Sequence, residues 1–153
     1  MKQWRRLLSS SKSKSNLIKS LASDWQTPQM RANLKGKVVF VTSEDKCFKI
    51  TADCTSEMEC LSTDHEEADT RVFLQAKYVE DAEASAIIIA SEDTDEFAIS
   101  LSLDHKFQCP MYIKSGTQNR ENFVHVQKVA NAVGRDTCRA LCGMHAFTGC
   151  DTV

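Results

Sequence analysis

Apolar residues Leu17, Ile18, Leu21, Ala22 and Trp25 recur at helical spacing behind Ser15, a candidate cap. They predict a short amphipathic helix that ends before Pro28, preceded by a polar linker, SSSKSKS. The pattern then changes. KVVFVT and CFKIT flank Ser43-Glu44-Asp45-Lys46 and predict two strands of a hairpin, after which Cys54 to Leu61 reads as a connection.

Thr63 and Glu66 have capping-box spacing, and Ala68, Val72, Phe73, Ala76 and Val79 form one stripe, predicting a helix over 66–79. Ala86 to Ala90 is apolar without interruption, as expected of a strand covered on both faces. Phe97 to Leu103 extends as a short helix, and MYIKSG gives another strand. Val126, Val129, Ala130 and Val133 define a helix stopped by Gly134, and Asp136 to Cys142 a last one stopped by Gly143. Helices alternating with apolar strands imply an α/β sandwich with a mostly parallel sheet.

Composition adds one surprise. The chain has 153 residues, 42% apolar and 26% charged, which fits a single globular domain. Its net charge of -2, however, divides into +8 over residues 1–37 and -10 over residues 38–153. A body this acidic excludes a protein that grips nucleic acid over its whole surface, because phosphate contacts need Lys and Arg where the strand lies. No apolar run approaches the roughly 18–20 residues of a membrane span. Seven cysteines, an odd number with no secretory signal ahead of them, point to reduced thiols rather than a disulfide framework, hence to a nuclear or cytoplasmic rather than secreted protein.

The acidity is concentrated. SEDTDEF at 91–97 follows the apolar strand, HEEADTR at 65–71 opens a helix, and TGCDTV at 148–153 carries a late acid. In open α/β sheets reactive groups gather beyond the carboxyl ends of strands. That would bring Asp93 and Asp95 together with Glu67 and Asp69 from a helix start, and with Asp151. Like charges so close raise one another's pKa unless cations neutralise them, and hard divalent ions take oxygen ligands. Spacing alone leaves a plainer reading open, in which Glu66, Glu67 and Asp69 complement a helix dipole, 93–96 is a solvated turn and Asp151 is a surface acid.

EEAD, SEDTD and TGCD, in this order, resemble the three acidic signatures of the PIN-like and flap-endonuclease superfamily. HEEADTR, SEDTDEF, MYIKSGT and CGMHAFTGCDT are similar, more closely, to an uncharacterised PIN-like family multiplied in animal genomes with mobile elements, and KQWRRLL, NLIKSLASDW and GKVVFVTSEDKCFKIT also look like family sequence. The resemblance implies a three-layer αβα sandwich and a nucleic-acid partner. It further implies Mg²⁺ or Mn²⁺ held by Glu67, Asp69, Asp93, Asp95 and Asp151 for phosphodiester hydrolysis. It divides the chain into a basic helical arm, 1–37, and a partial PIN-like domain, 38–153, incomplete at both ends. The N-terminal segment, transit-peptide-like in composition, then reads as internal family sequence. One departure stands out: the superfamily begins with a strand ending in a metal-binding Asp, and the nearest candidate here, Asp45, sits in a hairpin turn. The chain alone is therefore expected to cleave little. The alternative is an inert remnant that keeps the fold and serves as an interaction module.

A second metal reading concerns Cys138, Cys142, His145 and Cys150, whose C-x3-C-x2-H-x4-C spacing supplies four ligands of the type tetrahedral Zn²⁺ takes. Ala140, Leu141, Met144, Ala146 and Phe147 fill the gaps with core-type residues, which favours buried structural cysteines instead.

Overall fold

Helix α1 spans Ser11–Trp25 in the computed structural model, which describes residues 9–63, 68–117 and 120–148. It starts earlier than its apolar spacing predicts. Ser10 is the cap position and Ser15 lies inside the helix, so most of the polar SSSKSKS run is helical rather than a linker. The chain leaves the helix at Gln26, and Thr27 donates its hydroxyl to the Asp24 carbonyl at 2.7 Å. Pro28 then opens a one-turn helix, α2 (Pro28–Arg31), at the position where its missing N–H costs nothing.

The predicted hairpin forms. Strands β1 (Val39–Ser43) and β2 (Lys46–Ile50) pair antiparallel, with Ser43 opposite Lys46 and Glu44 in the turn at φ 57°. Part of the expected connection is a third strand, β3 (Thr55–Glu57), paired with β2, followed by a 3₁₀ turn at Glu59–Leu61. That turn is tied back to β2, since the N–H of Met58 donates to the Cys47 carbonyl (2.8 Å) and that of Thr63 to the Asp45 carbonyl (3.1 Å). These elements belong to the first of two compact units, Met1–Glu66. Its core is small: Ala22, Cys47, Ile50 and Leu61 are buried, while Ile18, Leu21 and Trp25 of α1 remain exposed.

The second unit is Glu67–Val153. Helix α3 (Ala68–Asp81) runs into β4 (Ile87–Ala90), α4 (Thr94–Leu103), a 3₁₀ turn at Asp104–Lys106 and β5 (Met111–Ser115). Then follow β6 (Asn122–His125), α5 (Val126–Val133) and α6 (Arg135–Thr148). The sheet order is β4-β5-β6, with β4 and β5 parallel and β5 and β6 antiparallel. The chain is thus mixed α/β with two small sheets, and one parallel pair stands where the alternation of elements predicts a mostly parallel sheet.

Two expectations are corrected. β4 is not covered on both faces: Ile87 and Ile89 are buried, but Ile88 is 58% exposed. The buried residues of the sheet, Ile87, Ile89, Met111 and Ile113, lie on one face, where Phe73, Leu101, Val126 and Cys138 from the four helices complete the core. Gly143 does not stop a helix either, because α6 continues through it to Thr148. A mid-helix glycine costs only about 1 kcal/mol, and Met144, Ala146 and Phe147 beyond it are better helix formers, although Met144 and Phe147 are exposed rather than in the core their residue types suggest. Gly134, in contrast, ends α5 at φ 90° as expected.

The turn leaving β5 depends on one glycine. Gly116 has φ 92°, and a Cβ there would overlap the Arg120 carbonyl. Its N–H donates to the Glu92 carboxylate at 2.6 Å, tying the loop to the residues that follow β4. Gly116→Ala is accordingly expected to lower stability by about 1–3 kcal/mol, read from urea unfolding midpoints. An unchanged midpoint would mean the turn relaxes freely.

Candidate functional site

The acidic stretch at 91–97 is placed by two elements, the carboxyl end of β4 and the amino end of α4. Strand β4 is held at both ends, the Ile87 N–H donating to the Pro110 carbonyl (2.9 Å) and the Ser91 N–H to the Lys114 carbonyl (3.0 Å). The chain turns at Ser91, whose hydroxyl oxygen accepts the Asp93 N–H at 2.9 Å and is also hydrogen-bonded to Glu96. Asp93 is the N-cap of α4, its carboxylate accepting the Asp95 N–H at 3.1 Å. Asp95 and Glu96 fall in the first turn, where the helix dipole favours negative charge.

The helix thus begins three residues before the apolar spacing starts at Phe97. The signal was present in the sequence: Asp93 to Glu96 is D-x-x-E, the spacing of a capping box, although here Glu96 turns to Ser91. Asp93 is exposed, whereas Asp95 is partly buried with Oδ1 enclosed by protein. Glu92 is committed to the Gly116 turn.

Of the five acids singled out by sequence, Asp93 and Asp95 therefore stand together just beyond the end of a parallel strand. Asp69 lies in the first turn of α3, with its side chain outside the described residues. Glu67 and Asp151 lie outside them altogether, as does Glu66 of the expected capping box. Among the described residues no group of three or more His, Cys, Asp or Glu side chains is arranged to hold a metal ion. The donor set itself fits a hard cation: Asp93 spends one carboxylate oxygen on a backbone N–H and offers a second at the surface. Asp45, the nearest upstream candidate for a strand-end aspartate, occupies the β1–β2 turn.

The cysteine-rich helix does something different with its described side chains. Cys138 and Cys142 lie one turn apart on α6. The Cys138 thiol is buried against α5, within 3.9 Å of the Ala130 carbonyl, and that burial pushes its pKa up. The Cys142 thiol donates to the Ala98 carbonyl at 3.3 Å. Both thiols are turned to backbone carbonyls of neighbouring helices and serve as packing groups, whereas zinc would need them as thiolates. The His145 side chain and Cys150 lie outside the described residues.

Glu80, which is not among the acids the sequence singles out, is held strongly in its charged form. Glu80 sits in the last turn of α3, where the dipole opposes an acid and no basic residue shares the turn. It is nevertheless 9% exposed, and it accepts the N–H groups of Gln108 (2.6 Å) and Cys109 (2.8 Å) as well as the Lys77 ammonium (2.6 Å). Lys77 first, then the two backbone N–H groups, hold its pKa down at about 2. Nothing in the local sequence marks it, since its backbone partners lie 28 and 29 residues away. Gln127 performs a related task at the start of β5, accepting the Met111 N–H at 3.0 Å.

No helix among the described residues is long and apolar enough to cross a membrane. Comparisons with protein-family models, with curated proteins and with solved structures give no match for this chain.

Proposed function

We propose that the chain carries a PIN-like site for divalent cations that serves phosphodiester hydrolysis in nucleic acid, with Glu67, Asp69, Asp93, Asp95 and Asp151 as the ligands of Mg²⁺ or Mn²⁺. The observation that carries this reading is the position of Asp93 and Asp95 immediately after a parallel strand, at the start of a helix whose dipole favours negative charge there. In the same reading the sheet of the second unit is part of a three-layer αβα sandwich with further parallel strands, and the protein works inside the cell, in nucleus or cytoplasm. A bound cation pair would activate a water and stabilise the leaving oxygen of a phosphodiester. What the chain's own residues contribute is the fixed orientation of the acids: Ser91 and the Asp95 N–H pin the turn, and the Gly116–Glu92 contact closes its other side.

The second reading is an inert remnant of the same fold that serves as an interaction module. It is favoured by the capping role of Asp93, which gives that acid a structural reason to be present without any metal. Zinc at Cys138, Cys142, His145 and Cys150 is the weaker metal proposal, given how two of those thiols are used.

Cleavage by the chain alone is expected to be weak. None of β1, β2 or β3 ends in an aspartate, and small misplacements around reacting groups can cost on the order of a hundredfold in rate. The test incubates the purified chain with single-stranded, duplex and flapped substrates in Mn²⁺, beside Asp93→Asn/Asp95→Asn. Residual cleavage that needs Mn²⁺ and disappears in the variant supports the nuclease reading. Cleavage of equal size in both proteins removes it, and robust cleavage lost in the variant would show that the ligand set is already complete.

A further inference from the structure

Among the described residues, strand β4 is an edge of its sheet and pairs with β5 alone. The N–H groups of Ile87 and Ser91 are turned toward that neighbour. Strand geometry then directs the N–H and C=O groups of Ile88 and Ala90 outward, away from β5. The side chain of Ile88 stands on the sheet face opposite the core and is 58% exposed. The strand register continues that face through Tyr112 and Phe123, the latter 52% exposed.

Sheet proteins ordinarily guard such an edge with a lysine, a proline, a bulge or an inward-pointing charge. The stretch from Ala84 to Ser91 has none of these and carries no charge at all. The other outer strand of this sheet differs: β6 is preceded by Glu121, which pairs with Lys114 at 2.8 Å beside it.

We propose that β4 is a self-pairing edge, through which two copies of the chain associate by antiparallel β4–β4 hydrogen bonding, with Ile88 of each packed on Ile88 of the other. The choice of a second copy rests on the sequence of the edge. Antiparallel pairing centred on Ile88 sets Ala90 opposite Ala86 and Ser91 opposite Ser85, so apolar meets apolar and hydroxyl meets hydroxyl across the joint. The contact is two-fold and closed, which gives a dimer rather than a fibre. Only at the rim do like charges face one another, Glu83 opposite Asp93, so salt should tighten the association by screening them. This surface uses none of the acids of the metal proposal, and it requires that no further strand be added beside β4.

The test is sedimentation equilibrium of the chain from micromolar to near-millimolar concentration, at low and high salt, on the native protein, Ile88→Lys, Ile88→Thr and Phe123→Ser. A short edge predicts a weak monomer–dimer equilibrium, with a dissociation constant on the order of 100 µM. Added salt should strengthen it. Ile88→Lys should weaken it at least about tenfold, Ile88→Thr less, and Phe123→Ser should leave it unchanged. In the native protein, hydrogen exchange at the Ile88 and Ala90 amides should slow as concentration rises, a readout that needs no variant. A chain that stays monomeric throughout, that forms open-ended oligomers, or whose Ile88→Lys variant associates as well as the native protein would overturn the proposal. So would protection of these amides only when an unrelated extended peptide is added.

Discussion

Replacing Asp93 and Asp95 together by asparagine is expected to weaken Mn²⁺ binding at least about tenfold while leaving the metal-free melting temperature almost unchanged. The choice of asparagine follows from the geometry. Asp93 caps α4 through the Asp95 N–H, and asparagine caps as well as aspartate, so this substitution removes charge without removing the cap. Alanine would confuse the result, because losing the cap costs about 1 kcal/mol by itself. Two small effects of the lost charges oppose each other in the metal-free protein. Repulsion within Glu92-Asp93-Thr94-Asp95-Glu96 is relieved, and the attraction of the acids to the helix dipole is lost. Thermal melts with and without millimolar Mn²⁺ provide the measurement, since a cation that binds only the folded state raises the melting temperature. The native protein should shift upward and the double variant should not. Equal shifts in both would place any bound metal elsewhere.

The second large effect is expected at Glu80, which has no part in the candidate site. Glu80→Ala leaves the N–H groups of Gln108 and Cys109 without their acceptor and Lys77 with only its longer contact to Asp81, at a cost of about 2–3 kcal/mol. Glu80→Gln keeps an acceptor but loses the charge, and should cost about half as much. The pH dependence carries its own signature. The pKa of Glu80 falls from 4.5 to about 2 on folding, so its contribution is fully present above pH 4.5 and is lost as pH falls toward 2. Urea unfolding at pH 7 and at pH 3 should therefore show the native protein losing more stability over that interval than either variant. If all three fall in parallel, the carboxylate is not held as the geometry indicates.

What could be read from the sequence, and what could not, follows from the distance over which each feature is determined. Val126, Val129, Ala130 and Val133 with Gly134 specify α5 locally, and the structure reproduces it to the residue. The β1–β2 hairpin, fixed by a two-residue turn, is equally local. β6 escaped notice because its four residues, Asn-Phe-Val-His, do not alternate cleanly, and Phe123 faces outward rather than into the core. The exposure of Ile88 was invisible for a different reason: an unbroken apolar run cannot reveal whether its second face finds a partner. At the candidate site, the clustering of acids after a strand was legible. That Asp93 caps a helix was legible too, from D-x-x-E spacing, but only once α4 is allowed to begin before its apolar residues do. Glu80 was not legible at all, because its backbone partners are contributed by a distant loop.

The central claim, that these acids form a site for hard divalent cations, is tested most directly by calorimetric titration of Mn²⁺, and then Mg²⁺, into the purified chain, with no substrate present. Saturable binding that is lost in Asp93→Asn/Asp95→Asn is the expected result. Heats of dilution alone from the native protein, under conditions where its melting shows it to be folded, would contradict it and leave the capping of α4 as the reason for the acids.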